Sequence, residues 1–172
     1  MKTKQSIKDA FERKENAMQR MPNVGLGGVT TKIKIKDGTT CEINEGDWTL
    51  TADMNPKSGG NNKGPTPGTF GRAAFGSCLA ISYILYASKM NVPIENLEVE
   101  VQVDYDARGM YGFDEVRAGY SEVRYIVKIE SPASEETLMN MLNKADKHSS
   151  YLDIFANETP VKREVEFIKP KS

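Results

Sequence analysis

The sequence predicts an α+β fold with elements in the order α-βββ-α-ββ-α-β. Three observations carry that expectation. Strand-like runs come in consecutive groups, whereas a parallel sheet needs strands alternating with helices. Most runs alternate apolar and polar residues with period two, the mark of a strand with one wet face. Between the two main groups lies one long stretch of small and apolar residues, too long for a strand.

Taken in order, residues 3–20 have a weak helical pattern with Ile7, Phe11 and Met18 as the main apolar side chains, and Pro22 ends it. This segment, 1–22, reads as an N-terminal helical extension to a domain spanning 23–172. Val29, Thr31, Ile33 and Ile35 then alternate with Thr30, Lys32, Lys34 and Lys36 as a half-buried strand. Asp37-Gly38 predicts a type I′ hairpin turn. The return strand carries Cys41 and Ile43 on one face. After Glu45-Gly46, a third strand sets Trp48, Leu50 and Ala52 opposite Thr49 and Thr51.

Residues 54–68 are rich in Gly, Pro and Asn and read as a long loop. A helix from about Thr69 to Met90 follows, apolar nearly all round and therefore expected to be buried. Asn91 and Pro93 stop it. Leu97 to Tyr105 and Val123 to Ile129 alternate as two antiparallel strands. Ser134 caps a helix with Glu135 and Glu136 in its first turn, which suits the helix dipole. A short turn or helix spans Ser149 to Phe155. A last strand is expected where Val161, Val165 and Phe167 alternate with Lys162, Glu164 and Glu166.

The 172 residues fit one domain and suffice to bury a core. With 23 basic and 24 acidic side chains, the chain has neither the basic excess of a nucleic-acid binder nor a polybasic membrane patch. The longest apolar stretch, Phe75 to Met90, is interrupted by three serines and Lys89, so no membrane span is expected. The N-terminus has no apolar signal region. The expectation is a cytoplasmic protein whose two cysteines are free thiols. Two cysteines and one histidine form no zinc pattern, and no cofactor fingerprint is present: the glycines of 25–28 and 59–64 match neither a dinucleotide loop nor a P-loop.

Cys78 is the centre of the expected chemistry. By spacing alone, a cysteine inside an apolar helix is more often a small core residue than a nucleophile. A reactive thiolate needs donors or a cation close by. Arg72, six residues earlier, lies ~120° away around the axis, so activation has to come from another segment or subunit. Cys41 reads as a structural inward residue, and His148 as a cation complementing a helix C-terminus.

The segment Gly64-Pro65-Thr66-Pro67-Gly68-Thr69-Phe70-Gly71-Arg72-Ala73-Ala74-Phe75-Gly76-Ser77-Cys78-Leu79-Ala80 resembles the osmotically induced protein C (OsmC) and organic hydroperoxide resistance (Ohr) family. That family has a Gly-Pro-x-Pro loop followed by a helix reading Ala-Ala-x-x-Ser-Cys or similar. The element order agrees, and residues 145–161 resemble the family's second motif. The resemblance implies an intertwined homodimer with two cysteine helices enclosed by antiparallel sheets. It implies a thiol peroxidase in which Cys78 attacks an organic hydroperoxide, an arginine–glutamate pair holds the thiolate, and a second cysteine resolves the sulfenic acid.

The chain departs from that pattern. Ser149 stands where the resolving cysteine aligns, Thr69 stands where the glutamate aligns, and no arginine between 21 and 71 fills the third role. Arg13, Arg20 and Arg72 are the remaining choices. Three readings stay open: a one-cysteine peroxidase recycled by an external thiol, a non-catalytic dimer holding a small apolar ligand between walls such as Tyr83, Tyr86, Phe113 and Trp48, and a structural stress-associated dimer.

Overall fold

The structure, a computed structural model, describes residues 4–169. The helix start expected at residue 3 and the outer domain limits at 1 and 172 fall outside those residues. Helix α1 spans Lys4–Arg20, and a 3-10 turn at Pro22–Gly25 follows. Strands β1 (Lys32–Asp37), β2 (Thr40–Glu45) and β3 (Trp48–Ala52) form an antiparallel meander. Helix α2 (Pro67–Lys89) leads to β4 (Asn96–Asp104), a single helical turn α3 (Ala107–Met110) and β5 (Glu122–Glu130). Helices α4 (Glu135–Asp146) and α5 (Ser150–Ala156) complete the order.

The core lies between the helices and the β4–β5 hairpin. Phe75, Leu79, Tyr83 and Ala87 recur every four residues along α2 and are buried together with Met141 and Ala145 of α4. Val99, Val101, Tyr125 and Val127 close the layer from the hairpin. Each large side chain sealed here contributes about 1.5–3 kcal/mol. The hairpin ladder runs unbroken from Asn96↔Glu130 to Asp104↔Glu122. At Gly76, a Cβ would sit 3.0 Å from the Val101 side chain, so the helix backbone approaches the sheet where a larger residue would press on it.

Helix α2 begins two residues before the expected Thr69, with the Thr66 side chain accepting from the Thr69 amide and Pro67 in the first turn. Its surroundings differ from the expectation of full burial. One stripe is sealed, but Ile81 is 60% exposed. By length and composition α2 is also long and apolar enough to cross a membrane, so Ser77, Ser82, Ser88 and Lys89 interrupt the apolar run less than the sequence pattern suggests.

The meander departs further from expectation. Ile33 and Ile35 are each 60% exposed and Trp48 is 74% exposed, because the helices of this chain cover β4–β5 instead. The hairpin turn falls on Gly38-Thr39. Only Gly38 takes a positive φ, and the β1–β2 register shifts between Ile35 and Asp37, so the expected type I′ turn is not formed. The expected last strand is absent as well. Val161 and Phe167 are more than nine-tenths exposed, and residues 157–169 join no ladder. Alternation prepares a strand but cannot supply the neighbour that it pairs with.

The 54–68 loop is ordered by a residue that sequence reasoning passed over. Asp53 is buried, and its carboxylate accepts from the hydroxyls of Thr39 and Thr40 and the amides of Met54, Asn61 and Lys63. Burial alone would raise its pKa, but these donors together hold it well below the usual carboxylate range. Gly60 and Gly64 lie so close to the carbonyls of Met54 and Thr51 that no Cβ fits at either.

Candidate functional site

Cys78, Ser82 and Tyr86 follow one another at intervals of four along α2, beside the buried stripe of Phe75, Leu79 and Tyr83. The turn between α4 and α5 sits against this second stripe. Its upstream end is held at Asp146, whose carboxylate accepts from the hydroxyls of Tyr83 at 2.7 Å and Tyr125 at 3.2 Å. Both phenols are kept protonated. Burial and the adjacent Asp146 carboxylate push the Tyr83 pKa far up and raise that of Tyr125. Its downstream end begins at Ser149, which caps α5 by accepting from the Leu152 amide. Phe155 of α5 then rests on Phe75 at a centroid distance of 4.8 Å.

This arrangement delivers two hydroxyls to the sulfur. The Oγ of Ser149, a residue only 3% exposed, lies 3.7 Å from the Cys78 Sγ, and the Oγ of Ser150 lies 3.6 Å from it. Partial burial pushes the thiol pKa up. The backbone amide of Tyr151 and the hydroxyls of Ser150, Ser149 and Ser82 outweigh that effect and draw it below its ordinary 9.0. The thiolate is therefore favoured by neutral donors, with no cation of this chain beside it among these groups. Both cysteines are free thiols.

The structure thus brings Cys78 and Ser149 together. Thr69 stands apart: its Oγ1 accepts from Arg72 Nη2 at 3.5 Å and shares a hydrogen bond with Thr66. Arg72 also donates to the Tyr120 hydroxyl, so this guanidinium serves the start of α2 and not the sulfur. Arg13 and Arg20 are exposed on α1. Cys41 lies on β2, with its thiol near the Thr39 carbonyl. The four ligand walls do not share one surrounding. Tyr83 is sealed in the core and Tyr86 is engaged by rings on two sides, while Trp48 and Phe113 are largely exposed. His148 follows the end of α4, as its spacing implies, and its ring stacks on Tyr86.

Sequence reasoning missed Ser150, the Tyr151 amide and the Asp146 anchor. The run Ser149-Ser150 ahead of Leu152 carried a signal, since serine before an apolar turn is a helix cap. No group of histidine, cysteine and carboxylate residues among the described residues could hold a metal.

The fold and the Cys78–Ser149 pair define an α+β domain with a single-thiol site where a helix meets a capped turn. The model of the OsmC-like protein family matches residues 60–164, and the chain belongs to that family. Solved structures agree on the fold. An OsmC-like protein from Mycoplasma pneumoniae superposes with a TM-score of 0.65 at 17% identity, covering 76% of this chain and 88% of that one. The organic hydroperoxide resistance protein OsmC of Legionella pneumophila gives 0.54 at 14% identity, covering 76% and 90%. An OsmC-like hydroperoxide resistance protein from Jannaschia gives 0.52 at 16%, covering 80% and 91%. No curated protein matches the chain.

Proposed function

We propose that this chain is a thiol-dependent reductase of organic hydroperoxides with Cys78 as its nucleophile. The observation that carries this reading is the Cys78 sulfur held by two serine hydroxyls and an amide, which favours thiolate without a charged partner. The thiolate attacks the outer oxygen of a hydroperoxide. An S–O bond forms, the O–O bond breaks, and the alkoxide leaves as alcohol after taking a proton, so Cys78 becomes a sulfenic acid.

Ser149 cannot resolve that sulfenic acid as a cysteine would. An external low-molecular-weight thiol does so, releasing water and forming a mixed disulfide. A second such thiol then restores Cys78 and leaves as the external disulfide. The work is done in the cytoplasm, where such thiols are abundant. The chain acts as a homodimer built on residues 23–172, with 1–22 as an extension. The open apolar faces of β1 and β3 and the unpaired residues 157–169 support that assembly.

The test is thiol loss from the purified, reduced protein with cumene hydroperoxide, alongside Cys78→Ser and Cys41→Ser. Rapid loss confined to Cys78, with a sulfenic acid trapped by dimedone, is expected. Loss no faster than that of free cysteine would overturn the assignment.

A further inference from the structure

We propose that α1 is a positioning element for Cys78, acting through a file of three rings: Phe11 of α1, Tyr86 of α2 and His148 of the turn that holds the sulfur. Phe11 meets Tyr86 edge-on, with centroids 5.8 Å apart at 69°. Tyr86 stacks flat on His148 at 6.0 Å and 4°. Pairs of this kind attract beyond the area they bury, through the ring quadrupoles. The file is clamped at its outer end. Lys89 Nζ lies 5.0 Å from the Phe11 ring centroid and 2.7 Å from the Glu15 carboxylate, and Lys8 donates to Asn91.

The chemistry is coupled to this file by sequence adjacency. Ser149 and Ser150 are the two residues after His148, so a shift of the imidazole is passed to the backbone that carries their hydroxyls. Asp146 fixes the other side of the turn through Tyr83 and Tyr125. The sulfur contacts of 3.6 and 3.7 Å are near the outer reach of a hydrogen bond to sulfur. A shift of the turn by a few tenths of an ångström therefore weakens them. Removing the support of α1 loosens the turn, withdraws the donors and leaves the partial burial of the thiol unopposed. The titratable groups on the turn and its flanks are Lys144, Asp146, Lys147, His148, Tyr151 and Asp153, with Tyr83, Tyr86 and Tyr125 packed against it. Lys89 and Glu15 pair with each other across the α1–α2 contact.

This inference rests on the reading of Cys78 as the reacting thiol, and its test is independent of peroxide. In a Cys41→Ser background, the rate of Cys78 alkylation by iodoacetamide is followed from about pH 6 to about pH 10, which spans ordinary thiol titration. Phe11→Ala, Tyr86→Leu and His148→Leu are expected to move the midpoint to higher pH and slow alkylation several-fold at neutral pH. Tyr86→Phe, which keeps the ring, is expected to restore the parent profile. Met141→Ala, which weakens the buried α2–α4 core without removing a ring of the file, is the control for general destabilisation and is expected to leave the midpoint in place. Unchanged midpoints in folded Phe11→Ala and Tyr86→Leu, or an equal shift in Met141→Ala, would overturn the proposal. Absent hydroperoxide turnover with the midpoints still shifting would count against the peroxidase reading and support the positioning role of α1.

Discussion

Ser149 lies 71 residues after Cys78 in the chain, yet its hydroxyl comes within 3.7 Å of the cysteine sulfur. The same hydroxyl accepts from the Leu152 amide as the cap of α5. One side chain therefore serves helix and thiol together. Ser149→Ala is expected to cost about 1 kcal/mol in stability through the lost cap and to slow Cys78 alkylation at neutral pH. Ser150→Ala removes only a sulfur contact, so it should slow alkylation with little change in the urea midpoint. Paired alkylation and urea measurements on the two variants separate these effects.

Ser149→Cys brings a second sulfur to the place of that hydroxyl. After one equivalent of hydroperoxide, two thiols should disappear instead of one, and non-reducing peptide mapping should find a disulfide joining Cys78 to the introduced cysteine. Turnover should then depend less on monothiol and more on dithiol reductants. A variant that still loses a single thiol would show that the turn cannot close the bond.

Asp53→Asn should lower the melting temperature by roughly 5 °C or more, because five donors now meet a poorer acceptor. The pH dependence has a definite sign. The carboxylate is held below its usual range, so its stabilisation is complete above the unfolded carboxylate pKa of about 3.9. It is lost as pH falls through the depressed folded value. The gap in melting temperature between the parent and Asp53→Asn should therefore hold constant above about pH 5 and narrow in stronger acid.

Leu79 is fully buried in the stripe next to Cys78. Leu79→Ala is expected to cost about 2–5 kcal/mol in a urea titration through the cavity that it leaves. Its side chain faces the core and not the sulfur, so the alkylation midpoint of the folded variant should stay near the parent's.

Local chemistry is legible in the sequence wherever it suffices. The Ser134 cap, the α2 span to within two residues and the β4–β5 alternation all follow from neighbours along the chain. The last strand fails because Val161, Val165 and Phe167 carry the right pattern without a ladder to join in one chain. The expected burial of Ile33 and Ile35 fails for the same reason, as period two tells which face is apolar and not what covers it. At the site, Cys78 and Ser149 can be picked out through motif likeness. The Tyr86–His148 stack cannot, since the two rings are 62 positions apart and neither lies in a recognisable pattern. Asp53 has one available sign, an acid just past a strand and just before a Gly- and Asn-rich segment whose amides no regular helix or strand would pair.

The hub at Asp53 reverses the practical meaning of residues 54–64. Their composition is that of a linker, the kind of place where a protein engineer would graft a tag and where a protease would be expected to cut. The amides of Met54, Asn61 and Lys63 converge on one sealed carboxylate, and Gly60 and Gly64 touch backbone where no side chain fits. Lengthening this segment by a few residues would pull those amides off the carboxylate and disturb the approach to α2.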